Sequence, residues 1–356
     1  TLCGGVPVRG QLATLEHGAH VVVGTPGRVL DHLQRQSLQL DGLRTLVLDE
    51  ADRMLDMGFA DDIAAVVRSC PAQRQTLLFS ATYPDDIAKL SARILRDPLT
   101  VAVADAPQAG RIEQRWYQVT EKERLHTVGR LLMHLRPAST MAFCNTKAQC
   151  NDLVEVLRAQ GIGALALHGD LEQRDRDQVL VRFANRSCSV LVATDVAARG
   201  LDIASLAAVI NVDVTPDAEV HIHRIGRTGR AGESGLALNL ASMNEMGSVG
   251  KIEQLQGRES EWHELAELVP TGKGPLMPPM VTLHIQGGRK EKIRPGDVLG
   301  ALTADLGYTR EQVGKINVND WSTYVAVDRA IAEQVASRLN DGRIKGKSVK
   351  VRVLAD

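Results

Sequence analysis

The chain has 356 residues, 44% of them hydrophobic and 24% charged, with 42 Lys+Arg against 43 Asp+Glu for a net charge of −1. That is the composition of a globular protein of two or three domains, and it excludes a mainly disordered chain, a collagen or a coiled coil. No apolar run approaches the ~18 residues of a membrane-spanning helix, and the near-zero net charge leaves the class of partner open. Five cysteines (Cys3, Cys70, Cys144, Cys150, Cys188) are scattered without C-x-x-C spacing. They speak against a disulfide framework or zinc ribbon and for a reducing, cytoplasmic setting. The chain opens at Thr1 without Met, and residues 2–5 (LCGG) read as domain interior. A fragment without a signal peptide is therefore expected.

Taken in chain order, short aliphatic runs recur at residues 20–24 (HVVVG), 45–48 (TLVL), 75–79 (QTLLF), 140–144 (TMAFC), 164–167 (ALAL), 189–193 (SVLVA), 207–212 (AAVINV) and 235–240 (GLALNL). Each ends in a polar or Gly-containing motif, and helical periodicity follows. Runs apolar on both faces predict parallel sheets covered by helices, hence the α/β class. In such sheets ligands gather at the carboxyl ends of the strands. A boundary is expected near 97–110 (DPLTVAVADAPQAG), where a strand runs into a linker, and a second α/β block starts at 115–119. Residues 270–279 (PTGKGPLMPP) are too rich in Pro and Gly for regular structure and read as another linker. Beyond them, strands over 282–285, 315–319, 322–328 and 348–354, with helices near 297–307 and 329–340, predict a β-α-β-β-α-β domain of ferredoxin-like or RRM type. The division expected is 1–104, 105–270, a linker at 271–280, and 281–356. Net charge is −2 over 1–104, −3 over 105–280 and +4 over 281–356. The loop 287–294 (GGRKEKIR) holds four of those cations and is a candidate phosphate-binding surface.

Four strand ends carry chemistry. Asp49-Glu50-Ala51-Asp52 could hold Mg²⁺ through water and orient a water on a γ-phosphate; the plain alternative is an acidic first turn that satisfies a helix dipole. Ser80-Ala81-Thr82 offers two hydroxyls that could bond this cluster, or a helix N-cap. The stretch 194–202 (TDVAARGLD) places hydroxyl, carboxylate, guanidinium and Gly at one turn. Residues 223–230 (HRIGRTGR) interleave three arginines with two glycines. Planar guanidinium forks suit phosphate, and Gly permits close backbone approach; the alternative is a basic surface turn.

Together these residues resemble the DEAD-box ATP-dependent RNA helicases over about residues 1–270. In that family 49–52 is the Walker B motif, 80–82 the coupling motif and 223–230 the arginine-finger motif. Gly4-Gly5, Thr25-Pro26-Gly27-Arg28, Phe143, Gln173 with Arg176, and 194–202 match further motifs. The tail resembles the RRM-type domain of the DbpA subgroup, which recognises a hairpin of large-subunit ribosomal RNA. The resemblance implies two RecA-like domains, the first partial, with ATP and Mg²⁺ as cofactors. It implies that Asp49 positions Mg²⁺ through water, Glu50 orients the attacking water, and Arg227 and Arg230 reach the ATP phosphates. Gly200 and Asp202 would touch the nucleotide, and Asp52, Ser80, Thr82 and His223 would couple the domains. Gly4, Gly5, Thr25, Gly27, Arg28, Arg176 and Thr194 would lie along RNA. Arg289, Lys290, Lys292 and Arg294 are the tail's own candidates. The implied setting is a cytoplasmic monomer acting on 23S-type ribosomal RNA and pre-50S particles in ribosome biogenesis, without a membrane.

The family's Walker A loop, G-x-x-x-x-G-K-[ST], its adenine-reading Gln motif and its P-T-R-E-L-A motif do not occur in these residues. Thr271-Gly272-Lys273-Gly274 lies in the linker and is no substitute. That loop would supply backbone N–H groups and a Lys to the phosphates. The expectation is a helicase parent, with this chain an inactive fragment whose first sheet has an exposed edge. An ATP-independent RNA-binding fragment working through the tail stays open, and a DNA helicase is disfavoured by resemblance only. Ordinary RRMs stack bases on aromatics of the two central strands. Here those strands offer Leu283, Ile285, Tyr324, Ala326 and Val327, of which only Tyr324 could stack. Reading by basic loops is expected, with Trp321 in the preceding turn; a protein-binding ferredoxin-like domain is the alternative.

Overall fold

The structure, a computed structural model, describes residues 1–80, 82–83, 85–102, 112–198, 201, 206–229 and 234–354. It divides into two units, Thr1–Ala104 and Asp105–Asp356. No helix among the described residues is long and apolar enough to cross a membrane.

In the first unit the runs at 45 and 75 find each other as β1 (Thr45–Leu48) and β2 (Gln75–Leu78), parallel, with Leu48 opposite Leu78. Helices Ala60–Arg68 and Asp85–Ile94 bury Ile63, Leu90 and Ile94 against the face that carries Leu46, Leu48 and Leu78. The expectation of two covered faces fails here: Val47, Leu77 and Phe79 point the other way and are exposed. The run 20–24 is not a strand. Its one sheet contact is the single parallel bridge from Leu2 to Gly24, and Val21 and Val23 are exposed. Val23 O accepts from Leu2 N–H (2.7 Å), but beyond this single bridge there is no ladder, and without one the run neither extends into a strand nor gains a face to bury. For the same reason residues 98–101 are irregular, with Leu99 and Val101 exposed; 103–110 fall outside the described residues.

The second unit holds β3 (Ile112–Gln118), β4 (Thr140–Phe143), β5 (Ala164–Leu167), β6 (Val190–Ala193), β7 (Ala208–Asn211), β8 (Gly235–Ala241) and β9 (Trp262–His263) in one parallel sheet, ordered β5-β6-β4-β7-β8-β3-β9. Strands β4, β6 and β7 are buried at every position. Val128, Leu131, Leu153 and Leu157 cover one face from helices Arg124–Leu135 and Lys147–Ala159. Phe183, Ala197 and Leu206 cover the other. The adjacent carboxyl ends of β6, β4 and β7 therefore open onto one rim, the place where parallel sheets carry sites. The short β9, at the edge beside Trp116 and Tyr117, has no apolar run of its own to announce it.

The tail forms β10 (Met280–Gln286), β11 (Val313–Val318), β12 (Ser322–Asp328) and β13 (Lys350–Val353), an antiparallel sheet ordered β11-β12-β10-β13. Leu283, Ile285, Val325 and Val327 face Val298, Leu302, Val335 and Leu339 from the helices. The first helix is shorter than the periodicity predicts: Pro295–Gly300 is α-helical and Ala301–Asp305 is a π turn. The second, Ala332–Asp341, begins after a 3₁₀ turn at Arg329–Ile331.

The stretch 270–279 is irregular yet bound along its length. Gly163 N–H donates to Leu276 O (3.1 Å), Leu276 N–H to Gly161 O (3.0 Å), and Arg136 to the carbonyls of Gly274 and Pro275. The tail sheet's outer face is also occupied. Thr282 Oγ1 lies 2.7 Å from Ser187 Oγ and accepts from Asn185 Nδ2 (3.2 Å), while Asn317 Nδ2 donates to Asn185 Oδ1 (3.0 Å). Tyr324 shares this outer face, 5.1 Å from the His284 ring and only 7% exposed.

Candidate functional site

In the first unit, β1 delivers Asp49 and Glu50 to solvent and Asp52 to the interior. Glu50 takes a left-handed backbone (φ 51°), and its N–H donates to Asp49 Oδ1 (2.9 Å). The chain then enters the helix Ala51–Asp56, where Ala51 N–H donates to Phe79 O (3.0 Å). That bond ties the end of β1 to the end of β2 and sets the two motifs side by side. Thr82 N–H and Thr82 Oγ1 both donate to Asp52 Oδ2 (3.1 Å each), and Asp52 N–H donates to Ser80 Oγ (3.3 Å). Asp52 is 7% exposed, whereas Asp49 and Glu50 are open. The acidic cluster thus divides into one anchored carboxylate and two that are available.

Thr25 stands exposed at the N-cap position of the helix Pro26–Gln34, its hydroxyl making no capping bond, and Gly27 lies in the first turn. Arg28 donates to Val6 O (3.1 Å) and Gln11 Oε1 (2.8 Å), and the buried His32 shares that Gln11 oxygen (2.9 Å). Gly4 and Gly5 lie in an exposed turn beside this group. Gln11 and His32 were not singled out by pattern, because a polar pair on two separate helices leaves no spacing signal.

In the second unit, Arg224 changes the reading of the HRIGRTGR stretch. Its guanidinium pairs bidentately with Asp195 (2.8 and 2.7 Å) and donates to Asp213 O (2.8 Å) and Asn145 Oδ1 (3.0 Å). It lies 5.2 Å from the Phe143 ring centroid and is 2% exposed. One of the three interleaved arginines is therefore a pin between the ends of β4, β6 and β7, not a phosphate ligand. Arg227, a turn later, is half-buried and donates to Leu201 O (2.8 Å). Gly229 is also explained by packing: an added Cβ would meet Ile112 Cγ1 at 2.8 Å, with the Gly235 backbone next to it, so the chain can lie on the start of β8. His223 lies in the last turn of the helix Ala218–Ile225. Thr194 is buried and its carbonyl accepts from Ala197 and Ala198 N–H, while Arg176 donates to Ala197 O (2.6 Å). Gly200, Asp202 and Arg230 lie outside the described residues.

A second buried network escaped the motif reading. Arg124 bonds Glu245 (2.6 Å), Glu121 (2.8 Å) and Val212 O (2.7 Å), and Glu245 receives Val214 N–H (3.0 Å). The signal was present: Arg124 occupies the same helical stripe as Val128 and Leu131, where a charge needs partners.

In the tail, Arg289, Lys290, Lys292 and Arg294 are all exposed. Arg289 donates to Val318 O (3.2 and 3.0 Å), and Lys345 and Lys347 bond the carbonyls of Lys292 and Glu291 (2.9 and 2.8 Å), which braces the loop. Arg289, Lys292, Arg294 and Lys345, with Ile293, Pro295 and Val318, line a cavity of about 500 Å³.

Three family descriptions match the chain: DEAD/DEAH box helicase over residues 1–90, Helicase conserved C-terminal domain over 123–232, and DbpA RNA binding domain over 282–353. The ATP-dependent RNA helicase DbpA of Escherichia coli K12 is 50% identical over 354 residues, covering 99% of this chain and 77% of that protein. DbpA of Bacillus subtilis 168 is 37% identical, covering 96% and 76%. Among solved structures, S. cerevisiae Dbp5 L327V bound to RNA and ADP BeF3 superposes with a TM-score of 0.64 at 32% identity, over 70% of this chain and 67% of that one. With an acidic cluster closing a parallel strand, an arginine motif at the rim of a second parallel sheet and a β-α-β-β-α-β tail, the chain belongs to the DbpA type of DEAD-box ATP-dependent RNA helicases.

Proposed function

We propose that the native protein uses ATP hydrolysis to remodel large-subunit, 23S-type ribosomal RNA within pre-50S particles, in the cytoplasm. The observation that carries the ATP-hydrolysis part of this reading is the division of the acidic cluster: Thr82 and Ser80 hold Asp52, and Asp49 and Glu50 are left open at the end of β1; the choice of RNA is supported by the likeness of residues 282–353 to the DbpA RNA binding domain. The donor set suits Mg²⁺, which prefers one carboxylate through water with phosphates completing its shell. Asp49 is exposed, with Oδ1 engaged by Glu50 N–H, and would hold the ion that screens phosphate charge. Glu50, stationed by its left-handed backbone, would orient the attacking water. Arg227 and Arg230 would donate to the phosphates. Asp52, Ser80, Thr82 and His223 would link nucleotide state to RNA grip, and Gly200 and Asp202 would meet the nucleotide. Gly4, Gly5, Thr25, Gly27, Arg28, Arg176 and Thr194 would follow the RNA backbone.

In the native enzyme, Glu50→Gln should lower kcat for ATP by about 10²–10⁴ and leave ATP affinity unchanged, because the role is on water and not on binding. Turnover near the wild-type rate would remove Glu50 from the chemistry. RNA identity is read, in this proposal, by the tail's cationic loop. Lys290→Ala/Lys292→Ala should abolish the preference for ribosomal RNA over poly(A) in stimulating ATPase while poly(A) stimulation persists. A preference that survives would move specificity to the helicase core.

A further inference from the structure

Trp321 is 70% exposed, more than any other Phe, Tyr or Trp among the described residues, in a chain with 3% aromatics. The other two tryptophans are at 2% (Trp116) and 39% (Trp262). A lone exposed apolar side chain is ordinary; the surroundings of this one are not. Trp321 ends the short turn between β11 and β12, and that turn is laced by backbone to the cationic loop. Gly287 N–H donates to Trp321 O (3.2 Å), Arg289 N–H to Asn319 O (2.8 Å) and Lys290 N–H to Asp320 O (2.9 Å). Between them, a Cβ on Gly288 would lie 2.2 Å from Asn319 O, so only Gly permits this approach. The backbone segments that carry Trp321 and Arg289 are therefore braced to each other, with the Arg289 guanidinium on Val318 O and 3.9 Å from Asp320 Oδ1.

We propose that Trp321 is a stacking platform for an unpaired RNA base whose neighbouring phosphates are held by Arg289 and Lys290. Single-stranded nucleic acid is the ligand that needs both features together, since every base offers a π face and every nucleotide a phosphate. An acidic peptide would satisfy the cations and leave the indole without a partner. The sheet cannot serve instead. Its one outward aromatic on the central strands, Tyr324, is 7% exposed beside His284, on the face that meets Asn185 and Ser187. The inference rests on the tail's reading as RNA-binding, and adds a base contact to a site otherwise made of charge.

The test measures binding of the whole chain to a short RNA hairpin with an unpaired loop, and to a set in which each loop base in turn is an abasic ribose. Trp321→Ala should weaken binding by about 5- to 150-fold, the range of one lost base stack, and Trp321→Phe should restore most of it. The log–log salt slope should be unchanged in Trp321→Ala and should shrink by about 0.7–0.9 per lost contact in Arg289→Ala/Lys290→Ala. One abasic hairpin should bind the wild type weakly and Trp321→Ala no worse. RNA should quench indole emission in the wild type, and that quench should vanish in Trp321→Phe. Wild-type affinity in Trp321→Ala, with the cation variant weakened, overturns the stacking role and leaves the RNA-binding reading standing. Wild-type affinity in both variants removes the loop's reading as well. A change in self-association with RNA binding unmoved overturns the proposal in favour of a protein contact.

Discussion

Asp49, Glu50 and Asp52 are alike on paper, three carboxylates within four positions, and the surroundings make them different. Burial pushes the Asp52 carboxyl up, but the N–H groups of Arg53 and Thr82 and the Thr82 hydroxyl bond its ionised form, and the net shift is below its ordinary value of 3.8. A carboxyl whose folded value is depressed contributes stability above its unfolded pKa and loses it as pH falls through the folded one. The window is therefore below about pH 4. Asp52→Asn should flatten the acid limb of stability in that window, and Thr82→Val should raise the Asp52 titration midpoint followed by carboxyl NMR. An acid limb of unchanged steepness in Asp52→Asn would show that another group is linked. The same logic separates Arg224 from Arg227. Three residues apart in one repeat, they differ because Arg224 meets Asp195, Asp213 and Asn145 and is enclosed.

At the scale of elements, the helix Ala218–Ile225 and the ends of β4, β6 and β7 are held as one rim by that guanidinium. Asp195 starts the short helix Asp195–Ala198, so the pair also fixes where the chain turns on leaving β6. Asp195 is about a quarter exposed, so losing Arg224 does not strand a fully desolvated charge; it leaves the enclosed acceptors Asn145 Oδ1 and Asp213 O without their donor, at a cost of about 1–3 kcal/mol. Arg224→Ala should lose that much in denaturant unfolding. Arg224→Lys should recover little, since one ammonium cannot reproduce the fork on Asp195 while also reaching Asp213 O and Asn145. A lysine variant of wild-type stability would mean that the site needs charge alone. Elements failed where the chain offered a pattern without a partner: residues 20–24 have the continuous aliphatic run of a strand and only one bridge.

At the scale of the molecule, the second unit contains a seam between its parallel sheet and the tail. Asn185 sits at its centre and bonds both Thr282 and Asn317, with Ser187 on Thr282 beside it. The irregular stretch before β10 runs bound along the same domain through Leu276 and Arg136. Asn185→Ala should cost about 1–3 kcal/mol, the penalty for buried polar groups that lose their partners. Hydrogen exchange should quicken in β10 and β11 while β4 and β6 keep their protection. Equal acceleration in both sheets would show that they open as one cooperative body and that the seam is not a separate weak point.

Composition, the aliphatic runs and their order were enough to read the α/β core and the β-α-β-β-α-β tail. Such features are local: a run that is apolar throughout needs two covered faces, and β4, β6 and β7 found them. D-E-A-D and HRIGRTGR were legible because their residue types recur at short spacing. The sequence could not say which member of each motif is enclosed, since Asp52 is chosen by Thr82, thirty positions on, and Arg224 by Asp195, twenty-nine positions back. Nor could it place β9, assembled only against β3, or the use of the tail sheet's outer face by Asn185 and Ser187. Those choices depend on which distant groups meet in space, and burial and hydrogen bonding between them exist only once the chain has folded.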